Sequence, residues 1–223
     1  MALRRSEMNP AETTFAVSDH TTEATDSVER KAPTVAKIVI AGGFSVGKTT
    51  FIGSISDITP VNTEAAMTEH SLGVDDPGVF SDKKLTTTVA MDFGRIELSP
   101  SLWLYLFGTP GQDRFLFMWD DLSRGAIGAV ILVDTARLEQ SFPAIDYFEK
   151  RSIPFVVAVN CFDGVAKHKL DDVRAALRLT TEVPLMYTDA RSKEATQQVL
   201  LAVVRFAMNI IRTGQAVTAG QAS

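Results

Sequence analysis

The stretch AGGFSVGKTT places glycines, a lysine and a threonine at a fixed spacing between a predicted strand and a predicted helix. Glycines allow backbone N–H groups to curl around phosphate oxygens, and the positive end of the helix adds to the attraction. Lys48 is expected to reach the β- and γ-phosphates of a nucleotide, and the Thr49 hydroxyl is expected to bind Mg²⁺. The alternative is a glycine turn with a solvated lysine. The predicted phosphate site consists of Gly42, Gly43, Phe44, Ser45, Val46, Gly47, Lys48, Thr49 and Thr50.

A second polar pattern, NCFD at 160–163, follows the apolar run PFVVAVN. The carboxylate of Asp163 can accept hydrogen bonds from N1–H and the exocyclic amine of guanine, whereas adenine offers no such pair of donors. Asn160 would connect this loop to the phosphate loop. In the later stretch TDAR, the Ala190 N–H could face guanine O6. The predicted base site consists of Asn160, Cys161, Asp163, Ala190 and Arg191, and an ATP-specific site remains the weaker alternative.

Strand-length apolar runs alternate with helix-periodic stretches through the middle of the chain. Strands are predicted at 35–41, 86–98, 102–107, 126–133, 154–160 and 183–187, and helices at 47–56, 113–124, 141–150, 171–178 and 192–211. Such alternation is typical of an α/β sandwich with a mostly parallel sheet. The short connection Ser99-Pro100-Ser101 predicts a hairpin between the second and third strands.

Composition limits the classes of function. The chain has 223 residues, is 45% hydrophobic and carries a net charge of −5, so it has a sizeable core and no basic excess for nucleic acid. The single cysteine fits a reducing, cytoplasmic setting. No apolar run has the length of a membrane helix and no lipidation signal is seen, so we expect no direct membrane anchor. Composition predicts a disordered tail at 1–33, a folded domain at 34–212 and a flexible tail at 213–223.

The order of the elements, together with the stretches TTTVAMDFGR, FGTPGQDRF and VNCFD, resembles the Ras-like small GTPases. The resemblance is to the bacterial branch similar to MglA and to the conservon-type ATP/GTP-binding proteins, and it covers about residues 35–211. It implies a P-loop G domain with a six-stranded, mostly parallel sheet flanked by helices. It also implies Mg²⁺ with GTP or GDP, slow GTP hydrolysis, and a Roadblock/LC7-type regulatory protein as partner.

The third strand departs from the commonest pattern of that family, Asp-x-x-Gly-Gln, because this chain has Gly108 where the aspartate is expected. The resemblance assigns the γ-phosphate contact to Gly111 and the positioning of the attacking water to Gln112, with Lys48 as the second catalytic residue. The carboxylate that would hold Mg²⁺ through water is missing from this strand.

Asp92, on the second predicted strand, can supply the missing carboxylate. Antiparallel pairing through the short connection sets residues 91–92 roughly opposite Gly108, and opposed side chains lie about 4.5–5.5 Å apart. The resemblance implies that Thr88 is the switch threonine that binds Mg²⁺, and the MglA-like branch shows the same exchange of carboxylate position. The alternative is that Asp92 has no role beyond its strand.

Three further departures affect hydrolysis and base binding. Phe44 occupies a position that is glycine in Ras, so its ring could overhang the γ-phosphate. Cys161 replaces the usual lysine of Asn-Lys-x-Asp, whose stem covers the guanine face. Thr87 stands where MglA-like proteins carry an arginine. Slow turnover is therefore expected, and a nucleotide-holding scaffold without hydrolysis stays open.

Two segments suggest switches. Residues 59–84 are polar and weakly periodic, which predicts an enlarged switch I or, alternatively, an inert insertion. Phe115–Trp119 are five consecutive apolar residues on a predicted helix, so some of them must be exposed as a protein-binding surface unless switch I covers them.

Overall fold

Seven strands form one sheet in the part of the chain that the structure describes. The structure is a computed structural model, and it describes residues 32–68, 86–111, 113–162 and 164–214. The strands are β1 (Thr34–Gly42), β2 (Val61–Thr68), β3 (Thr86–Ser99), β4 (Leu102–Gly108), β5 (Gly128–Val133), β6 (Phe155–Asn160) and β7 (Leu185–Thr188). Their order is β2-β3-β4-β1-β5-β6-β7. β3 is antiparallel to β2 and β4, and the other neighbours are parallel. The six predicted strands and the mostly parallel arrangement are confirmed.

β2 is the strand that the sequence analysis does not predict. Residues 59–84 are assigned there to switch I, but Val61–Thr68 pair with β3, from Val61 opposite Phe93 to Thr68 opposite Thr86. That part of the prediction is wrong. Strand formation depends on a neighbouring strand more than on local propensity, and the long β3 provides that neighbour. The sheet therefore has one strand more than the six expected, and β3 is an inner strand.

Several predictions concern residues outside the described ranges. These are most of the tails predicted at 1–33 and 213–223, the part of the predicted switch I at 69–84, and two residues of the predicted site, Gln112 and Asp163. Their predicted roles stay predictions.

Helices cover both faces of the sheet. They are α1 (Lys48–Ile55), α2 (Trp119–Ser123), α3 (Phe142–Lys150), α4 (Leu170–Ala176) and α5 (Lys193–Thr213). Alternate residues of the buried strands face opposite sides, so α1 and α5 pack on one set, including Ile40 and Val130. α2, α3 and α4 pack on the other set, including Val39 and Ile131. Among the described helices, none is long and apolar enough to cross a membrane.

The predicted helix at 113–124 has two different parts. Asp113–Met118 form a 3₁₀ helix, and only Trp119–Ser123 are α-helical. Phe115 and Trp119 are buried, whereas Phe117 is 60% exposed. The predicted helical segment is therefore confirmed, although its first part is a 3₁₀ helix and not an α-helix, and the prediction that part of the apolar run is exposed is confirmed.

Two phenylalanines test where the core lies. Phe148 of α3 is fully buried and contacts Trp119, Tyr147 and Phe155, whereas Phe117 is exposed. Phe148→Ala should lower the free energy of unfolding by about 3–5 kcal/mol because it leaves a cavity. Phe117→Ala, the matched control, should change it by less than about 0.5 kcal/mol. Urea denaturation of both variants measures this, and equal losses would contradict the assigned core.

Candidate nucleotide-binding site

The loop between β1 and α1 has a backbone that depends on glycine. Gly42, Ser45 and Gly47 have φ values of 137°, 58° and 105°, in the left-handed region that side chains disfavour. A Cβ atom on Gly42 would lie 2.4 Å from the carbonyl oxygen of Leu132, and one on Gly47 would lie 2.7 Å from Nδ2 of Asn160. α1 begins at Lys48, and its N-cap residue, Gly47, has no side chain that could accept a hydrogen bond from the first N–H groups of the helix. This is the geometry expected of a phosphate-binding loop.

Lys48 lies in the centre of this loop and is only 8% exposed. Its Nζ donates hydrogen bonds to the carbonyl oxygens of Gly42 at 3.0 Å and Gly43 at 2.7 Å. Burial lowers the pKa of Lys48 to about 8, and the charge of Asp92 acts in the opposite direction. The buried ammonium group is thus only partly compensated, and an anion in the loop would favour its charged form.

Asp92 reaches the phosphate loop from β3. Phe93 pairs with Phe107 in the β3–β4 register, which sets Asp92 opposite Gly108. A Cβ atom on Gly108 would lie 3.0 Å from Cβ of Asp92 and 3.1 Å from its Oδ2, so glycine leaves the room that this carboxylate occupies. The Thr49 hydroxyl donates a hydrogen bond to Oδ2 of Asp92 at 2.7 Å. Thr88 lies in the same strand, with its backbone opposite Ala66.

Hard oxygen ligands therefore meet at one point. A hydroxyl and a single carboxylate are a suitable protein contribution for Mg²⁺, which takes its other ligands from water and phosphate oxygens. In the described part of the chain, no group of three or more His, Cys, Asp or Glu residues could hold a metal without such help. The donor set fits Mg²⁺ bound together with a nucleotide.

Gly111 closes the cleft on the side of β4. A Cβ atom there would lie 2.7 Å from Nζ of Lys48 and 2.9 Å from both the Gly43 carbonyl oxygen and Cα of Phe44. The cleft has a volume of about 330 Å³, and Phe44, 58% exposed, lies in its wall. Its lining residues are Phe44, Ser45, Val46, Gly47, Lys48, Thr49, Thr50, Asp92, Thr109, Pro110 and Gly111.

Sequence reasoning missed two kinds of contact at the phosphate loop. Thr109 and Pro110 line the cleft, although of the residues next to them only Gly111 is predicted to contact the phosphates. The side chain of Gln140 lies against Gly43, where a Cβ atom would be 2.6 Å from its Oε1. Gln140 follows β5, far from the loop in sequence, and no local pattern indicates this contact.

Asn160, 7% exposed, connects the phosphate loop with the predicted base loops. Its Nδ2 donates to the Val46 carbonyl oxygen at 2.9 Å, as predicted. Its Oδ1 accepts a hydrogen bond from the Ala190 N–H at 3.1 Å. The Ala190 N–H, which the sequence analysis directs at guanine O6, is thus already engaged, because Asn160 presents an acceptor to it.

Cys161 and Arg191 complete the described part of the predicted base site. The Cys161 N–H donates to the Thr188 carbonyl oxygen at 2.8 Å, which holds the two base loops side by side. Burial, and then the nearby charge of Asp189, raises the pKa of the half-buried Cys161 thiol. Arg191 forms an ion pair with Asp189 at 2.7 Å, and its hydrogen bonds lower the pKa of that carboxyl group to about 2.

Solved structures with a similar fold are G domains of iron transporters. The cytosolic domain of the T. maritima FeoB iron transporter in a GDP form superposes with a TM-score of 0.55 and 17% identity, over 79% of this chain and 65% of that one. The FeoB G domain from Methanococcus jannaschii gives a TM-score of 0.51 and 15% identity, over 78% of this chain and 99% of that one. The matched part of the chain thus spans nearly all of the isolated G domain and less than two thirds of the cytosolic domain. At this level of identity the likeness shows the fold, a P-loop G domain.

Sequence comparisons are more specific. The uncharacterized protein MJ1339 of Methanocaldococcus jannaschii is 27% identical over 129 residues, which are 57% of this chain and 70% of that protein. A family model described as conserved hypothetical ATP binding protein matches residues 40–210. That match spans the phosphate loop, Asp92 and both base-side loops. The chain therefore belongs to the family of conserved hypothetical ATP binding proteins, and it is a P-loop protein of the nucleotide-binding type.

Proposed function

We propose that the chain is a GTP-binding molecular switch that requires Mg²⁺ and slowly hydrolyses GTP to GDP and phosphate. The observation that carries this proposal is the 2.7 Å hydrogen bond between Thr49 and Asp92 across from Gly108. It supports Asp92 as the source of the metal-binding carboxylate in a chain whose usual aspartate position is glycine. A site that had merely lost its aspartate would not be expected to hold a carboxylate from the neighbouring strand in that place.

The residues of the cleft have separate tasks in this proposal. Lys48 neutralises the β- and γ-phosphates, and the backbone of residues 42–50 surrounds them with N–H groups. Thr49, Thr88 and Asp92 would hold Mg²⁺, which supplies charge neutralisation for the transferred phosphoryl group. The close approach of Gly111 to Lys48 supports a role for its N–H at the γ-phosphate.

Slow hydrolysis follows from what surrounds the γ-phosphate position. Gln112 would orient the attacking water. The exposed ring of Phe44 stands in the cleft wall, where it would hinder an arginine supplied by a partner. Thr87 offers no cation of its own, so we expect turnover to depend on a regulator. The alternative is a scaffold that holds nucleotide without hydrolysis. It would use the same residues to bind the nucleotide, but Gln112 would have no catalytic role.

Guanine is the proposed base because Asp163 can pair with its two donors. The description of the family as ATP binding favours adenine, so an ATP-dependent version of the same switch is the second candidate. The two differ in base recognition and share the phosphate chemistry.

Signalling to protein partners is proposed through the segment after Gln112. Phe117, exposed in the 3₁₀ helix Asp113–Met118, supports such a surface. By the MglA-like resemblance the partner would be a Roadblock/LC7-type regulatory protein, in the cytoplasm.

The metal role of Asp92 predicts a change in Mg²⁺ requirement. Asp92→Asn should raise the Mg²⁺ concentration needed for half-maximal GTP binding by roughly tenfold, because a neutral amide is a poor ligand for a hard cation. Thr49→Ala should act similarly. Glu97→Gln, on the same strand but 48% exposed in its side chain, is the control and should leave the requirement unchanged. Fluorescent GTP titrated at fixed Mg²⁺ concentrations measures this, and an unaltered Asp92→Asn curve would remove Asp92 from the site.

The hydrolytic role predicts an effect of Gln112 on rate alone. Gln112→Ala should slow single-turnover GTP hydrolysis by about tenfold or more, while the Kd for GTP changes little, since water positioning matters mainly in the transition state. Rapid-quench measurements with excess protein provide the rate. Equal rates in both proteins would favour the scaffold alternative.

Base preference is decided by competition at one site. GDP should displace a labelled nucleotide at a concentration at least about tenfold lower than ADP. Asp163→Asn should reduce this difference and leave ADP binding nearly unchanged. A preference for ADP in the unmodified protein would instead establish the ATP-dependent version.

A further inference from the structure

Two glycine carbonyl groups hold the buried ammonium group of Lys48, and the fold supports them in different ways. Gly42 is the last residue of β1 and pairs with Leu132 of β5 in the sheet. Gly43 follows the end of β1, so the pairing of β1 with β5 does not include it. Its carbonyl oxygen nevertheless makes the shorter hydrogen bond to Nζ of Lys48, at 2.7 Å against 3.0 Å for Gly42. Another part of the fold must therefore hold Gly43 in place.

Gln140 is the residue that lies against Gly43. Outside the adjacent residues, the three atoms nearest to a Cβ atom on Gly43 would all belong to Gln140: Oε1 at 2.6 Å, Cβ at 2.7 Å and Cδ at 3.4 Å. The φ angle of Gly43 is outside the left-handed region, so that angle does not by itself require glycine. The room for a side chain at this position is taken up by Gln140.

The turn that follows β5 fixes the backbone of Gln140. The carboxylate of Asp134 accepts hydrogen bonds from the Ala136 N–H and from Nε of Arg137, both at 2.9 Å. The Gln140 N–H donates to the Arg137 carbonyl oxygen at 3.1 Å, within the 3₁₀ helix Leu138–Ser141. The tip of the Gln140 side chain could rotate away from a larger neighbour. Its Cβ atom could move away only if the whole turn moved.

The carbonyl oxygen of Gly43 also borders the cleft. A Cβ atom on Gly111 would lie 2.9 Å from this oxygen and 2.7 Å from Nζ of Lys48. A displacement of Gly43 would therefore alter both the position of the ammonium group and the space beside Gly111. A contact made by Gln140 can thus act on the phosphate site through a single carbonyl group.

We propose that Gln140 is a positioning residue of the phosphate loop, whose side chain packs against Gly43 and holds the carbonyl oxygen of that residue against the ammonium group of Lys48. The assignment rests on the proposed nucleotide binding, and in it Gln140 itself contacts neither phosphate nor metal. Because the closest fixed contact is made by the first carbon of the side chain, the support is steric and does not need the amide group. It also explains why the second residue of the loop is glycine.

The experiment exchanges the two side chains that compete for this space. Isothermal titration with GDP and with inorganic tripolyphosphate, each with Mg²⁺, is carried out on the full chain, on Gly43→Ala, on Gln140→Gly and on the double variant of both. Two controls are matched to it. Gly43→Ala combined with Gln140→Ala keeps the Cβ atom of residue 140, and Glu139→Gly loosens the same turn at an exposed residue. Thermal unfolding without ligand shows whether each variant is folded.

Each single variant should weaken both ligands. Gly43→Ala should do so by about tenfold or more, because its methyl group overpacks the contact with Gln140. Gln140→Gly should do so by about threefold to tenfold, because Gly43 is no longer positioned before the ligand binds. Glu139→Gly should leave both affinities unchanged.

The double variant should bind both ligands more tightly than either single variant. Its methyl group occupies the space of the missing side chain, and the remaining non-adjacent atoms are no closer than the 3.4 Å of ordinary contact. Gly43→Ala combined with Gln140→Ala should stay as weak as Gly43→Ala, since the Cβ atom at 2.7 Å is still present. This reciprocal recovery would not follow if Gln140 only stabilised its own turn.

Other results would refute the assignment. Full affinity in either single variant would mean that Gln140 does not position Gly43, and recovery with Gln140→Ala would mean that the Cβ contact is unimportant. If Gly43→Ala alone does not fold, the double variant decides: tighter binding than Gln140→Gly supports the assignment, and weaker or no binding refutes it. An unmodified protein that binds neither ligand would refute the proposed function itself, whereas binding without reciprocal recovery refutes only the role of Gln140.

Discussion

The buried ammonium group of Lys48 is the constraint around which this site is organised. Two carbonyl oxygens of its own loop hold it, and they do not fully replace the water that burial removes. Its pKa, lowered to about 8, records that deficit. A phosphate anion would supply the missing negative charge, so a bound nucleotide would stabilise the buried ammonium group. The glycine-dependent backbone of the loop and the close approach of Gly111 to Lys48 determine the shape of the space that the phosphate would occupy.

Much of this arrangement is predictable from the sequence because it depends on short-range rules. The phosphate loop follows from residue spacing, and the meeting of Asp92 with Gly108 follows from a short hairpin connection and side-chain alternation. β2 is not predictable in this way, because its residues become a strand only beside β3. The contact of Gln140 with Gly43 and the ion pair of Asp189 with Arg191 arise from tertiary placement and from rotamer choice, for which a single sequence contains no periodic signal.

The phosphate and base halves of the site differ in what supports them. The phosphate half depends on the backbone geometry of a loop, on a buried cation at the start of α1 and on a carboxylate of β3. The base half depends on the loops after β6 and β7, and contacts with Asn160 fix the position of these loops. Only a few side chains of these loops can then determine which purine is bound. A family of this fold could therefore keep its phosphate chemistry while its base preference varies.

The connection between β3 and β4 affects the phosphate site although it lies far from that site. Asp92 lies seven positions before Ser99, a distance of about 23 Å along an extended strand. The register that sets Asp92 opposite Gly108 begins at this turn and includes the irregularity between Glu97 and Ser99. If one residue were added or deleted there and the register shifted along the whole pairing, Met91 or Phe93 would lie opposite Gly108; in both cases the carboxylate would turn away from the cleft. The length of a remote turn thus determines whether the phosphate pocket contains an acid, with no change to any residue that lines it.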